Sequence, residues 1–89
     1  MIYHVEYLKS VKKTFEKMDK YTKRILFEWI DKNLEGCTDP RIHGKPLGGD
    51  RSGQWRYRVG DYRIIANIED NRLIILVIAI GHRREIYKL

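Results

Sequence analysis

The segment that decides the fold lies in the second half of the chain and reads Gln54-Trp55-Arg56-Tyr57-Arg58-Val59-Gly60-Asp61-Tyr62-Arg63-Ile64-Ile65. Before Gly60-Asp61, polar residues alternate with aromatic or aliphatic ones, and after it Tyr62 and Ile64 alternate with Arg63 and Ile65. This period of two is typical of a half-buried β-strand. A glycine at the first of two central positions is typical of a type II′ hairpin turn. The segment therefore predicts two antiparallel strands joined by a two-residue turn.

This hairpin would place three arginines on one face of the sheet. With Gly60-Asp61 as the turn, Arg58 faces Arg63 directly across the strands, and Arg56 faces Ile65. Like charges placed directly opposite each other destabilise a sheet. We interpret the three guanidinium groups as an anion-binding site. The alternative is that they extend into solvent or pair with neighbouring carboxylates.

The first half of the chain predicts one strand and two helices. Residues 1–7 mix β-branched and aromatic side chains and predict the strand. Apolar residues at helical spacing then mark two helices, the first by Leu8, Val11, Phe15 and Met18 and the second by Ile25, Leu26, Trp29, Ile30 and Leu34. Ser10 and Asp19 are the candidate N-caps, and Gly36 is the candidate stop. The short connection predicts an antiparallel helical hairpin.

Residues 36–53 predict a long loop, because they hold five glycines and two prolines. Its end, residues 48–53, lacks the Gly-Lys-Ser/Thr ending of a phosphate-binding loop, and no strand is predicted before it. Downstream of the arginine hairpin, Asp70-Asn71 predicts a second turn. Residues 73–80 are apolar on both faces and predict a buried central strand.

Together these elements predict an α+β fold: an N-terminal strand, a two-helix hairpin and a three-stranded antiparallel meander. The first strand adds to one edge of the meander, and the helices cover one face. Regular pairing through the second turn would put Arg63 opposite Ile78 and His82 on the same side as Arg63. With 89 residues, we expect a single domain over residues 1–89.

The net charge of the chain and its distribution indicate the class of partner. The chain carries a net charge of +6, and residues 41–63 alone hold six basic and two acidic residues. Arginine replaces lysine almost throughout the second half, and its planar fork grips phosphate well. We therefore expect a nucleic-acid partner. The longest apolar run is too short for a membrane span, and no secretory signal is evident, so we expect a cytoplasmic protein. A single Cys37 and three widely spaced histidines indicate no metal site.

The C-terminal segment Gly81-His82-Arg83-Arg84-Glu85-Ile86-Tyr87 adds further candidates. Gly81 would end the last strand and let the tail turn back over the sheet. Arg83 would then supply a phosphate contact, His82 a proton carrier and Tyr87 a stacking ring. The alternatives are a strand-end histidine with no role and a tyrosine docked on the core.

The hairpin pattern R-x-G-x-Y-R and the tail pattern G-H-R-R-x-x-Y together resemble the RelE/ParE toxin superfamily of bacterial type II toxin–antitoxin systems, and are more similar to RelE than to ParE. The resemblance implies an mRNA interferase that cuts messenger RNA in the ribosomal A site without metal or cofactor. The 2′-hydroxyl attacks the adjacent phosphate and leaves a 2′,3′-cyclic phosphate. The implied partners are a RelB-like antitoxin and the ribosome with its 16S rRNA. Operator DNA is bound only through the antitoxin complex, and no membrane is involved.

The resemblance also implies which residues act. The catalytic set is Arg56, Arg58, Arg63, Arg83 and Tyr87, and we add His82. Guanidinium stays protonated and is a poor general base, whereas the best-known family member has lysines at the positions of Arg56 and Arg58. His82 or Tyr87 is therefore the candidate base, and Glu85 is a weaker one. We expect Lys45, Arg51 and Arg84 to bind RNA.

Three other functions remain open at this stage. One is a toxin of the ParE type, which poisons DNA gyrase and cuts no RNA. The second is a non-catalytic module that binds RNA or DNA. The third is an inactive family member.

Overall fold

The computed structural model describes residues 1–51 and 53–86. In chain order the elements are β1 (His4–Tyr7), α1 (Lys9–Lys17), α2 (Lys20–Asn33), β2 (Gly44–Pro46), a 3-10 helix (Gly49–Arg51), β3 (Gln54–Val59), β4 (Tyr62–Glu69) and β5 (Ile74–His82). The strands form one sheet in the order β1-β5-β4-β3-β2. β1 runs parallel to β5, and the other neighbours are antiparallel. The predicted α+β arrangement is confirmed, and the first strand does add to an edge of the meander. The helices in the described part of the chain are too short or too polar to cross a membrane.

The first hairpin has the predicted register. Arg58 pairs with Arg63, and Arg56 pairs with Ile65. Gly60 has a φ of +59°, and Asp61 does not have a positive φ. This is the type II′ geometry, in which glycine is favoured at the first central position.

The core lies between the helices and one face of the sheet. Its fully buried side chains come from both helices, from β3 to β5 and from the segment after α2; the largest are Tyr57, Leu26, Ile30, Leu34, Ile64, Ile75, Val11 and Val77. Phe15 of α1 stacks on Phe27 of α2 with 4.3 Å between ring centroids, so the two helices contact each other. Ile25 is 38% exposed. Its assignment to the apolar stripe was wrong, because it lies about 100° around the helix from the buried Leu26.

The two predicted helix caps have different outcomes. Asp19 caps α2 as predicted, and its carboxylate accepts a hydrogen bond of 3.0 Å from the backbone N–H of Thr22. Ser10 does not cap α1, which begins directly after Leu8 and has no side-chain cap. The N–H of Leu8 donates to the carbonyl of Val77 at 3.1 Å. This hydrogen bond continues the pairing of β1 with β5 as far as Leu8, so α1 begins at Lys9. Ser10 is therefore the second residue of the helix and lies within its first turn.

The predicted loop of residues 36–53 contains a strand. β2 pairs with β3, with Gly44 opposite Tyr57 and Lys45 opposite Arg56. The expectation that no strand precedes the glycine-rich end was therefore wrong. A three-residue strand that contains glycine and proline has low intrinsic β-propensity, and its pairing with β3 stabilises it.

The second hairpin departs from the predicted register. Its turn covers residues 70–73 rather than two residues, and the pairing shifts between Ile65 and Ala66, which leaves Ile78 as a β-bulge. Arg63 consequently faces Gly81 and not Ile78. A bulge adds one residue to one strand and reverses which face its later side chains take. His82 therefore pairs with Tyr62 and lies on the helix side, so its predicted placement beside Arg63 was wrong.

Candidate functional site

Four basic side chains lie across the sheet face that points away from the helices, and we call this set the cationic face. Lys45 pairs with Arg56 across β2 and β3, and Arg58 pairs with Arg63 across β3 and β4. Residues paired in this way lie side by side on one face. Arg58 is exposed, and Arg56 and Arg63 are half-buried. The predicted clustering of the three arginines is confirmed, and Lys45 extends it to the sheet edge.

A groove of about 250 Å³ opens at the β2 end of the cationic face. It is lined by Ile42, His43, Gly44, Lys45, Arg56 and Arg58. Gly44 allows β2 to approach β3 closely, because a Cβ at this position would collide with the carbonyl oxygen of Arg56. It would also lie 2.8 Å from the ring of Tyr57. The groove is thus lined by three cationic residues and by His43.

The turn of the first hairpin forms the other end of the cationic face. The guanidinium of Arg63 donates hydrogen bonds of 3.0 Å to the carbonyls of Gly60 and Tyr62. Arg83 approaches the same turn: its backbone N–H donates to the carbonyl of Asp61 at 2.7 Å, and its Nε lies 3.6 Å from the Asp61 carboxylate. Both partners of that ion pair are more than half exposed, so the pair is weak and a phosphate can compete for Arg83.

The tail turns back over the sheet as predicted, although β5 continues through Gly81 to His82 before the turn. Ile86 is fully buried, and a Cβ at Gly81 would lie 3.2 Å from its Cδ1. Gly81 pairs with Arg63, so Ile86 packs on the same face as the arginines. This packing fixes where the tail lies. Tyr87 is outside the described residues, and its role remains a prediction.

His82 is not part of the cationic face. Its Nδ1 accepts a hydrogen bond of 3.2 Å from the backbone N–H of Arg84. Its ring meets the ring of Tyr62 edge-on, with centroids 5.8 Å apart. The structure therefore separates the predicted proton carrier from the arginines it was expected to serve.

The two remaining predicted RNA contacts lie outside the sheet, and Glu85 lies in the tail turn. Arg84 is exposed in the turn after β5, and Arg51 is half-buried at the end of the 3-10 helix that precedes β3. Glu85 is exposed, and its backbone N–H donates to the carbonyl of His82 at 2.9 Å. None of these three residues lines the groove. Their predicted roles remain predictions.

A second cluster anchors the segment that leads into β2. The guanidinium of Arg41 donates to both oxygens of Asp70, at 3.0 and 2.8 Å, and the hydroxyl of Tyr3 donates to Asp70 at 2.6 Å. Mainly through the hydrogen bonds from Arg41, this arrangement lowers the pKa of Asp70 to about 2. Nearby, the buried hydroxyl of Tyr57 donates to the carbonyl of Pro40 at 2.6 Å, and burial raises the pKa of Tyr57. Arg41 thus positions the loop.

Within residues 1–51 and 53–86, no three histidine, cysteine or acidic side chains cluster as metal ligands would. The sequence missed one member of the site, His43, which lines the groove with the cations. In the sequence, His43 lies two residues before Lys45. This spacing becomes informative only once β2 is known to pair with β3, because that pairing brings Lys45 beside Arg56.

These observations define a class, namely a small α+β protein that presents a row of cations on one sheet face. Within it, the chain belongs to the ParE toxin family of type II toxin–antitoxin systems, because the sequence model of that family matches residues 5–87. It is a member of the wider RelE/ParE superfamily, so the predicted resemblance is confirmed.

Individual relatives agree with this assignment. Toxin RelG of Mycobacterium tuberculosis is 32% identical over 50 residues, which are 56% of this chain and 58% of that toxin. The match thus spans a little over half the length of that relative. A chain of the toxin–antitoxin complex RelBE2 of M. tuberculosis superposes with a TM-score of 0.83 at 23% identity, over 93% of both chains. A mutant of the E. coli toxin RelE in the free state gives 0.75 at 21% identity, over 99% of this chain and 93% of that one. The structural likenesses show the same fold.

Proposed function

We propose that this toxin is an endoribonuclease that cleaves messenger RNA on the ribosome and so inhibits translation in the cytoplasm. The observation that carries the proposal is the cationic face: Arg58 and Arg63 are held directly opposite each other although like charges there destabilise the sheet. A polyanion that bridges them would relieve this repulsion. A ribosomal A site would supply both the mRNA and the phosphates of 16S rRNA.

The chemistry would be the attack of the 2′-oxygen on the adjacent phosphorus, with departure of the 5′-oxygen. Negative charge builds up on the phosphate oxygens in the transition state, and fixed cations stabilise it there. Arg63 and Arg83 lie together at the hairpin turn and are the groups we assign to that charge. Lys45, Arg56 and Arg58 would hold the flanking backbone.

The proposal includes a protein partner, since a toxin that cleaves messenger RNA needs an inhibitor in its own cell. RelBE2, one chain of which superposes well on this one, is a toxin–antitoxin complex. We propose a RelB-like antitoxin with acidic residues that cover the cationic face, and operator binding through the complex. An antitoxin that becomes ordered on binding could cover a large surface. Co-expression of such an antitoxin should restore growth and yield a complex that purifies intact.

Cleavage on programmed ribosomes tests the proposal. Arg63→Ala and Arg83→Ala should each lower the single-turnover rate by about 10²–10³-fold, as expected for loss of one electrostatic group. Arg24→Ala is the matched control, because Arg24 is an exposed arginine on α2 whose contacts are a loose pair with Glu28 at 4.0 Å and the ring of Tyr21 at 5.9 Å. The control should cleave at the wild-type rate. Wild-type rates for both Arg63→Ala and Arg83→Ala, with unchanged melting curves, would refute the site.

The sequence match to the ParE family supports a second candidate, a gyrase poison that does not cut RNA. Induction in bacteria separates the two functions. A ribonuclease gives an early fall in translation and new 5′ ends on transcripts, and mapping of those ends locates the cuts. A gyrase poison gives DNA damage and an SOS response with intact transcripts.

A further inference from the structure

We propose that His43 accepts the proton of the attacking 2′-hydroxyl, an assignment that rests on the proposed ribonuclease function. Of the chain's three histidines, His43 alone lines the groove, together with Lys45, Arg56 and Arg58. A phosphodiester held by those cations would lie against this histidine. Histidine is the side chain best suited to take a proton near neutral pH.

The other candidate bases do not have this placement. His82 lies on the opposite face of the sheet, with its Nδ1 engaged by the backbone of Arg84. His4 lies in β1, at the far edge of the sheet, and its Nδ1 is 2.7 Å from a carboxylate oxygen of Glu35. The arginines of the face cannot act as bases, because guanidinium stays protonated.

The surrounding structure holds His43 in position. Its ring meets the ring of Trp29 of α2 edge-on, with centroids 6.3 Å apart, and Trp29 in turn packs against Tyr57 at 5.7 Å. On one side along the chain, Arg41 is tied to Asp70 by two hydrogen bonds. On the other, Gly44 is pressed against β3. A general base needs this kind of fixed geometry, since catalysis depends on the distance to the proton it removes.

In the proposed step the proton of the 2′-hydroxyl moves to an unprotonated ring nitrogen of His43. The 2′-oxygen forms a bond to phosphorus while the bond between phosphorus and the 5′-oxygen breaks. Water supplies a proton to the departing 5′-oxygen, and His43 returns its own proton to water. The products are a 2′,3′-cyclic phosphate and a 5′-hydroxyl, and no water is consumed overall.

The charged groups that face His43 across the groove are Lys45 of β2 and Arg56 and Arg58 of β3. From α2 it meets Trp29, which does not titrate. The groove lining therefore offers cations for the phosphate and one histidine. This division of roles suits the reaction, in which charge and proton must be handled by different side chains.

The test is the single-turnover cleavage rate of His43→Gln on programmed ribosomes, measured from acidic to neutral pH. Glutamine keeps polarity and approximate size but cannot take the proton. We expect the wild-type rate to rise with pH over this range. We expect His43→Gln to lose about 10²–10⁴-fold in rate and to show no such rise. His4→Gln is the matched control and should retain the wild-type rate and profile.

A binding measurement distinguishes proton transfer from a mere contact. An mRNA with a 2′-deoxy sugar at the cleavage site cannot react, and the His43→Gln toxin should bind ribosomes carrying it within about threefold of the wild type. A wild-type rate for His43→Gln, or an equal loss of binding and rate, would overturn the assignment. So would a result in which His82→Gln, and not His43→Gln, loses the dependence of the rate on pH. If the wild type itself does not cleave RNA, the proposed function fails, and this assignment fails with it.

Discussion

Replacing Arg58 by glutamine should make the protein more stable and less active. Arg58 is exposed, pairs directly with Arg63, and forms no hydrogen bond or ion pair with the described residues. Glutamine keeps most of the aliphatic stem and a polar end, and it removes the charge. Substitution of Arg63 would be less informative, because its guanidinium also donates to the carbonyls of Gly60 and Tyr62.

The size of the stabilisation follows from the pairing. Like charges directly opposite on a sheet cost about 0.2–1 kcal/mol, and two unit charges about 6 Å apart in water repel by about 0.7 kcal/mol. We therefore expect Arg58→Gln to gain about 0.5 kcal/mol in the free energy of unfolding. For a chain of this size that corresponds to a melting temperature about 2–4 °C higher. In about 1 M salt the difference should nearly vanish, because the screening length falls to about 3 Å.

Thermal melts at low and high salt, with and without inorganic phosphate at constant ionic strength, measure this effect. Phosphate should raise the melting temperature of the wild type more than that of Arg58→Gln. The control Arg24→Gln removes the same charge from α2 and should change stability by less than about 0.5 kcal/mol. A melting temperature for Arg58→Gln at or below the wild type in low salt would refute the argument that the pair is held at a cost in stability.

Three further outcomes follow from the structure. Gly44→Ala should destabilise the protein by about 1–3 kcal/mol in urea unfolding, because the added Cβ would press on Tyr57 and Trp55 at 2.8 and 2.9 Å; full stability would contradict the close approach of β2. The pKa of Asp70 is lowered from 3.8 to about 2, so the stability that its carboxylate contributes is complete above about pH 4 and is lost as the pH falls towards 2. The difference in the free energy of unfolding between wild type and Asp70→Asn should therefore shrink over that range, and a constant difference would exclude the ion pair as its source. In the proposed mechanism the cationic face stabilises the charge on the phosphate, so any cleavage on ribosomes should continue in a chelator at concentrations that leave ribosomes intact, and activity restored only by added metal would oppose this.

Local patterns were sufficient to predict the part of the site that depends on local geometry. The alternation around Gly60 fixed the partner of Arg58, because a two-residue turn leaves only one register. Asp19 was recognisable as a cap because its side chain bonds only three residues away. The helices and the order of elements followed in the same way from spacing within each segment.

Contacts between distant segments could not be predicted from such patterns. β2 has three residues and low β-propensity, so its existence depends on pairing with β3. His43 entered the site through that pairing. Ser10 failed as a cap because the contact of Leu8 with Val77 sets the start of α1, and Ser10 itself provides no sign of that contact.

The bulge at Ile78 determines which residues of β5 lie beside Arg63, and no pattern in the sequence indicates it. Residues 73–80 are apolar on both faces, so they carry no period from which a bulge could be located. Before the bulge, Ile75 and Val77 point to the core, and after it Ile80 does. The reversal sets Gly81, and not a large apolar side chain, opposite Arg63. Because Gly81 has no Cβ, Ile86 can pack on it, and Arg83 is drawn to the hairpin turn beside Arg63. A regular strand would place an isoleucine there and His82 among the arginines, so the same bulge that completes the core also removes His82 from the cationic face.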